Sequence, residues 1–222
     1  MNMDKDQHEL IRRIASVVGH ELRNPLAVIN NSSYFVKTKL AGQKDAKVEK
    51  HLGIIASEIA RADRLIGDML FFSRPLEFKP EPARLAALVA EALGACDIPA
   101  GVKVKRDSKK PEPSVNADAR VLSDAVRRLI DNALAAMEGS GTLTIAVGAG
   151  SGGAFVEVRD TGPGIKPEAL ASLFQPFFTT KHRGLGLGLA VAQKAAQAHR
   201  GRIEAKNLAG GGAAFTLTLP PA

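Results

Sequence analysis

IRRIASVVGHELRNPLAVINNSSYFV, residues 11–36, places Ile11, Ala15, Val18, Leu22, Pro25, Ile29, Ser32 and Val36 at spacings that alternate between four and three. That alternation is the seam of a heptad helix. His20 lies two residues from both Val18 and Leu22, on a face shared with Ser16, Arg23, Asn24 and Asn31. The ring is therefore expected to face solvent or a partner and not the core. Neutral imidazole, with a pKa of about 6.5, is a competent nucleophile near neutral pH. Asn24, four residues on, shares its patch, whereas Glu21 must reach around the helix shoulder. Pro25 removes a helix N–H and should bend the helix just after the histidine. A lone surface histidine is by default solvated polarity, and His8, His51, His182 and His199 receive that reading.

Extended both ways, the pattern predicts a helix from Met3 to Leu40, a turn over Ala41 to Ala46, and a second helix from Val48. The second seam runs Val48, Leu52, Ile55, Ile59, Ala62, Ile66 and Met69. Two such helices form an antiparallel hairpin that cannot bury a full seam alone, so a homodimeric four-helix bundle is expected. A monomeric hairpin packed on the rest of the chain is the alternative. Pro75, Pro80 and Pro82 should end the second helix and make Ser73 to Pro82 a linker or short edge strand. The expected organisation is a hairpin over 1–73, a linker over 74–82 and a second domain over 83–222.

A chain of 222 residues suits one large or two modest domains. No apolar run approaches the roughly 20 residues of a membrane span, and Met1 to Arg12 is charged and not signal-like. The segment is expected to be soluble, without membrane contact. Its single cysteine, Cys96, excludes an intramolecular disulfide, suits the reducing cytoplasm where we place the segment, and reads as a small core residue beside Leu88, Ala92 and Ala95. A net charge of +7 suits a nucleotide or an acidic protein. Nucleic acid is disfavoured, because basic residues are interspersed with acidic ones and there are no Trp and one Tyr to stack on bases.

From Ala83 onward the pattern predicts a helix over Ala83–Ala95, strands near Val102–Arg106 and Ser114–Asn116, and a helix capped by Asn116 or Asp118 and running to Met137. Strands near Thr142–Val147 and Ala154–Arg159, helices over Lys166–Phe174 and Leu187–Ala198, and a closing strand pair over Arg202–Lys206 and Ala214–Leu219 complete it. Gly139–Gly141 and Gly150–Gly153 read as hairpin loops. Strands with interspersed helices and no regular βαβ alternation argue for an α+β sandwich and against a Rossmann sheet.

Four segments of this half carry chemistry. Asn132 stands on an amphipathic helix whose apolar face is Leu122, Ala125, Leu129 and Ala133, and its amide oxygen can ligate Mg²⁺. Asp160 opens DTGPGI, where Gly162 and Gly164 let the backbone turn tightly beside a flat ligand and the carboxylate can accept from an amino group. LFQPFFTTK brings Phe174, Phe177 and Phe178 before Thr179, Thr180 and Lys181. Gly184, Leu185, Gly186, Leu187 and Gly188 then open a helix, whose N-terminal N–H groups suit phosphate.

HELRNPL resembles the phosphoacceptor box of the bacterial sensor histidine kinases of two-component systems. The resemblance implies that His20 accepts the ATP γ-phosphoryl group, that Glu21 assists proton removal and that Asn24 orients water in the reverse, phosphatase reaction. The four later segments resemble the N, G1, F and G2 boxes of the GHKL ATPases, the fold shared by histidine kinases, the Hsp90 chaperones, gyrase and MutL. That implies Asn132 on Mg²⁺, Asp160 on the adenine amino group, and a short lid, Thr179 to Arg183, over the phosphates. FFTTK and NALAAM are most similar to the nitrogen-regulation-like branch. Arg128 stands where the family often has a first Asn, Ala135 and Ala136 replace basic or aromatic residues, Leu185 and Ala213 replace common threonines, and Asn132, Asp160 and the glycines are intact. The resemblance implies a kinase core with ATP and Mg²⁺ that passes its phosphoryl group to an Asp of a response regulator receiver domain. A GHKL protein kinase acting on Ser or Thr of a partner, which the HELRNPL box on a dimerising hairpin disfavours, is one rival, and a non-catalytic ATP-responsive dimer or a phosphatase-only regulator is the other.

Overall fold

The computed structural model describes residues 22–23, 26–40, 46–73, 78–108, 113–150, 152–179 and 186–220. The chain divides into two compact units, Met1–Pro75 and Leu76–Ala222.

In the first unit, α1 (26–39) and α2 (Ala46–Ser73) are helical; the earlier part of the helix expected from Met3, the bend at Pro25 and the turn up to residue 45 lie outside the described residues, and the second helix begins at Ala46 and not at Val48. Arg23 donates to Asp63 at 3.0 Å, and Arg23, Leu26, Ala27 and Asn30 line a groove of about 400 Å³ with Ala56, Ile59, Ala60 and Asp63. Low numbers on one helix meet high numbers on the other, so the two run antiparallel. Both seams are only partly covered: Leu52 and Ile66 of α2 are buried, whereas Ile55 of the same seam and Leu22, Ile29 and Val36 of the first stay exposed within one chain.

The second unit follows its sequence closely: β1 (Glu81–Arg84), α3 (Leu85–Gly94), β2 (Gly101–Ser108), β3 (Ser114–Ala117), α4 (Ala119–Ala136), β4 (Ser140–Gly150), β5 (Gly153–Arg159), α5 (Pro167–Leu170), α6 (Gly188–Ala198), β6 (Arg202–Asn207) and β7 (Ala213–Leu219). Five strands form one mixed sheet in the order β2-β4-β5-β7-β6, in which β2 and β4 are parallel and the rest antiparallel. Strand β1 pairs with β3 in a separate ribbon, Pro82 opposite Asn116.

Period-two alternation on β5 and β7 sends Val156, Val158, Phe215 and Leu217 toward the helices, where they meet Leu122, Val126, Leu129 and Ile130 of α4 and Val191 and Ala196 of α6; all are at most 2% exposed. Thr216 and Thr218 take the opposite face with Phe155 and Glu157, lining an open groove of about 700 Å³. Glu157 is buried there and held by Arg159, by Thr216 at 3.3 Å and by Lys206 at 3.9 Å.

Several expectations need correction. The first helix of this unit begins at Leu85, not Ala83, because Glu81–Arg84 extends to pair with β3, and Leu85 N–H then donates to the Pro113 carbonyl. The helix expected over Lys166–Phe174 stops at Leu170. Beyond it Ser172, Gln175 and Phe178 each donate three residues back, a tighter winding that accommodates Pro176, which has no N–H. Gly139–Gly141 is not a hairpin loop. It leads from α4 into β4, with Glu138, Gly139 and Gly141 all at positive φ.

Cys96 lies beyond the end of α3, half-buried, its thiol donating to the Ala92 carbonyl at 3.2 Å. Burial, with the Asp131 carboxylate and its hydrogen bond next in weight, pushes that thiol up to about 12.

His199 is the clearest miss. It is buried, accepts the Asp118 N–H on Nε2 at 3.0 Å and places Nδ1 2.7 Å from the Ala195 carbonyl. The neutral ring thus carries its proton on Nδ1. Phe78 packs edge-on against it, centroids 4.6 Å apart. Asp118 caps α4 by accepting from Val121 N–H at 3.1 Å, and its second oxygen accepts from Lys79 N–H at 3.1 Å. Burial pushes the Asp118 carboxyl up, but these hydrogen bonds and the Arg120 charge outweigh it and hold the group below its ordinary value.

Candidate functional site

Helix α4 brings Asn132 to the flank of its buried face: Leu122, Ala125, Leu129 and Ala133 are all at most 1% exposed, while Asn132 is half-buried. The 3.6-residue period puts Asp124, Arg128, Asn132 and Ala136 in one i,i+4 row. Near the C-terminal end of that row the chain returns as β5 and delivers Asp160. Residues 154, 156, 158 and 160 share the helix-facing side of the strand, which is why this carboxylate is 2% exposed.

Backbone amides hold Asp160 in place. Its Oδ1 accepts from Gly162 N–H at 2.8 Å and from Ala213 N–H at 3.3 Å, and its own N–H donates to the Ala213 carbonyl at 3.0 Å. A Cβ on Gly162 would fall 2.9 Å from the Ala136 carbonyl, so only glycine lets the loop pass this close to the end of α4. Gly212, at φ +84°, is more constrained, since a Cβ there would stand 2.0 Å from the Asp160 carbonyl. Gly164, at φ +80°, completes the turn, and Asn207 braces it by accepting from Ile165 N–H and donating to the Ile165 carbonyl, both at 2.7 Å. Thr161 Oγ1 accepts from Thr142 N–H at 2.9 Å, tying the loop to β4.

Around the expected lid, Phe177 is left-handed at φ +66° and half exposed, and Thr179 is exposed. Gly186, at φ +67°, lies so close that a Cβ would meet the Phe178 carbonyl at 2.4 Å. The two ends of the segment therefore abut. Leu187 is buried as the N-cap of α6, its carbonyl accepting from Val191 N–H at 2.8 Å, and Gly188 is the first helical residue. His20, Glu21 and Asn24, and with them Thr180, Lys181, Gly184 and Leu185, lie outside the described residues.

The structure thus brings the Asp160 loop, with Gly162 and Gly164, against the C-terminal end of α4 at Ala136, one turn beyond Asn132. Sequence reasoning missed Gly212, Ala213 and Asn207. The signal was the GGG at Gly210–Gly212 directly before a strand, which marks a place where backbone must approach backbone. Ala213 also answers its own departure. What holds Asp160 is the Ala213 backbone, which a threonine would supply equally.

A buried carboxylate clasped by backbone, beside a helix that carries Asn132 and before a second glycine-opened helix, fits a nucleotide whose base needs an acceptor and whose phosphates need N–H groups and a hard cation. Residues 117–222 match the family of histidine kinase-, DNA gyrase B- and HSP90-like ATPases, and residues 10–77 match the His Kinase A (phospho-acceptor) domain. Sensor protein FixL of Bradyrhizobium diazoefficiens is 36% identical over 221 residues, 94% of this chain and 43% of that protein. Sensor histidine kinase ZraS of Salmonella typhi is 30% identical over 221 residues, 97% of this chain and 47% of that protein. The chain thus spans less than half the length of these relatives. The crystal structure of full-length ShkA in complex with AMPPNP superposes with a TM-score of 0.76 at 24% identity, covering 92% of this chain and 45% of that one, which shows the shared fold. With a phospho-acceptor match over residues 10–77 followed by this ATPase match over residues 117–222, and with sensor kinases aligned over more than nine-tenths of it, the chain carries the core of a two-component sensor histidine kinase.

Proposed function

We propose that this chain autophosphorylates His20 from ATP·Mg²⁺ and passes the phosphoryl group to an aspartate on the receiver domain of a response regulator. The observation that carries the reading is the Asp160 cradle: a carboxylate 2% exposed, held by backbone and crowded by glycines that have no room for a Cβ. It would accept from the adenine amino group. Asn132 would offer its amide oxygen to Mg²⁺, and the first N–H groups of α6 would meet the phosphates with Gly184, Leu185, Gly186, Leu187 and Gly188. Bound Mg²⁺ would supply charge neutralisation on the transferring phosphoryl group. Phe177, Thr179, Thr180 and Lys181 would cover the phosphates as a lid. His20 would be the nucleophile, Glu21 would assist its proton, and Asn24 would orient water in the reverse hydrolysis.

The exposed line of Leu22, Ile29 and Val36 supports a homodimer in which a second hairpin covers it. Residues 74–82 would then tether the hairpin over 1–73 to the ATP-binding domain over 83–222. No helix among the described residues is long and apolar enough to cross a membrane; we place this core in the cytoplasm. We place it in the nitrogen-regulation-like branch on FFTTK and its short lid.

Incubation with γ-labelled ATP and Mg²⁺ tests the reading. Label that survives base, is lost in acid and is absent from His20→Gln is expected. Nucleotide binding without label would replace the kinase by a nucleotide-responsive regulator, and acid-stable label would move the acceptor to a hydroxyl.

A further inference from the structure

One rung of the β6–β7 pair holds both ends of the loop that carries Asp160. In that ladder Asn207 stands opposite Ala213. From the β7 side, Ala213 gives its N–H to Asp160 Oδ1 at 3.3 Å and takes the Asp160 N–H on its carbonyl at 3.0 Å. From the β6 side, the Asn207 side chain holds Ile165: its Oδ1 accepts from the Ile165 N–H and its Nδ2 donates to the Ile165 carbonyl, both at 2.7 Å. The stretch from Asp160 to Ile165 is therefore an arch with both feet on one rung.

That footing is itself fixed. Leu208 N–H donates to the Gly212 carbonyl at 3.0 Å and Gly211 N–H to the Leu208 carbonyl at 3.1 Å, which closes the turn between Asn207 and Ala213. Gly164, at φ +80°, brings the arch so near that a Cβ there would stand 2.9 Å from Asn207 Oδ1. Inside the arch, Gly162 N–H supplies the shorter clasp on Asp160 Oδ1, at 2.8 Å. The direction of the carboxylate thus depends on where Gly162 sits, and Gly162 sits between the two feet. Both clasps fall on Oδ1, which assigns Oδ2 to an incoming amino group.

Asn207 is exposed, so water competes for its hydrogen bonds and they add little to global stability. Its two polar ends nevertheless go to one peptide unit of this loop, a pairing that fixes geometry. We propose that Asn207 is a positioning residue for base selection, which holds the far foot of the arch so that Asp160 meets the amino group of adenine. Without it, purine nucleotides bind but their bases are told apart less sharply. The proposal rests on the reading of Asp160 as the carboxylate that meets the base.

The test is calorimetric titration of the full chain with Mg²⁺ and either ADP or inosine diphosphate, whose base carries a carbonyl where adenine carries its amino group. The ratio of the two dissociation constants in one preparation does not depend on the folded fraction, so a merely structural role would not move it. Wild type is expected to prefer ADP by about tenfold or more, and Asp160→Asn to erase the preference. Asn207→Ala should weaken ADP about three- to tenfold and cut the preference by about threefold or more. Asn207→Asp keeps the acceptor for Ile165 N–H but turns a carboxylate oxygen toward the Ile165 carbonyl, and should cut it at least as far. A ratio preserved in Asn207→Ala, even with both nucleotides weakened together, overturns the proposal, while the wild-type preference keeps the Asp160 reading. A wild type that binds both nucleotides alike or neither, or a preference that survives Asp160→Asn, overturns that reading and the proposal together. If Asn207→Ala does not fold, Asn207→Asp decides by the same ratio.

Discussion

The two units of this chain bury their apolar residues to different extents. In the nucleotide-binding unit the large side chains close on one another: Phe215, Leu129, Ile130 and Val191 are within 2% of full burial, and the turns that bring them together are fastened by backbone. In the hairpin, Leu22 and Ile29 remain about half exposed and Val36 41% exposed, although they keep heptad spacing. A helix that advertises a seam and leaves it uncovered is written for a second surface, whereas the sheet unit is written for itself. The difference teaches that regular periodicity reports which face will be buried, not by what.

The largest effect should come from the self-contained core. Phe215→Ala removes a ring from the layer between β7 and the helices and should cost about 3–5 kcal/mol, read by denaturant unfolding with the sheet unit followed separately. A cost under about 1 kcal/mol would mean the core is looser than its burial says, and the contrast with the hairpin would fail. Next comes the uncovered seam. Ile29→Ala puts at stake roughly half of a side-chain transfer in each copy, about 1.5–3 kcal/mol per dimer, or roughly a 10- to 150-fold rise in the dissociation constant. Sedimentation equilibrium reads this directly. The thermal transition of the sheet unit should not move; if it does and the dimer persists, Ile29 faces something other than a second hairpin.

Asp118 tests how the sheet unit fastens its own helices. Asp118→Ala removes the cap of α4 and the acceptor of Lys79 N–H and should cost about 1–2 kcal/mol. Because the folded carboxyl titrates below its ordinary value, its contribution is complete above the unfolded pKa of about 3.9 and is lost as pH falls through the lower folded value. The stability gap between wild type and Asp118→Asn should therefore be constant from pH 5 to 7 and close as pH falls below the ordinary carboxylate range. A gap that widens on acidification would mean that the desolvation of Asp118 outweighs its hydrogen bonds.

Most of this architecture was legible because local signals agreed with it. Asp118 was one of two expected caps, Leu122, Ala125, Leu129 and Ala133 do face the core, and the closing strands fall within a residue of their patterns. What was not legible depended on distant pairing. The prolines allowed a short edge strand up to Pro82, but nothing near Glu81 announces that residues 114–117 will be its partner or that the strand will run on to Arg84. His199 reads as surface polarity until Asp118, 81 residues earlier in sequence, offers its N–H. The Asp160 site was legible in its side chain and glycines but not in Ala213 and Gly212, because a backbone clasp leaves no side-chain signature.

The smallest effect expected is the Arg23–Asp63 ion pair that joins the two helices of the hairpin. Both side chains are about half exposed, so water and salt screen them and their entropy is lost on pairing. A double-mutant cycle on Arg23→Ala and Asp63→Ala should give a coupling under about 1 kcal/mol that shrinks further in high salt. The sign of the comparison hangs on this pair, because it is a side-chain link between the helices at their grooved face. If the hairpin draws its stability from a partner, cutting one surface ion pair leaves it intact. A coupling above about 2 kcal/mol, insensitive to salt, would instead make Arg23 and Asp63 part of a core that the hairpin builds without a second copy, and the two units would then differ in degree and not in kind.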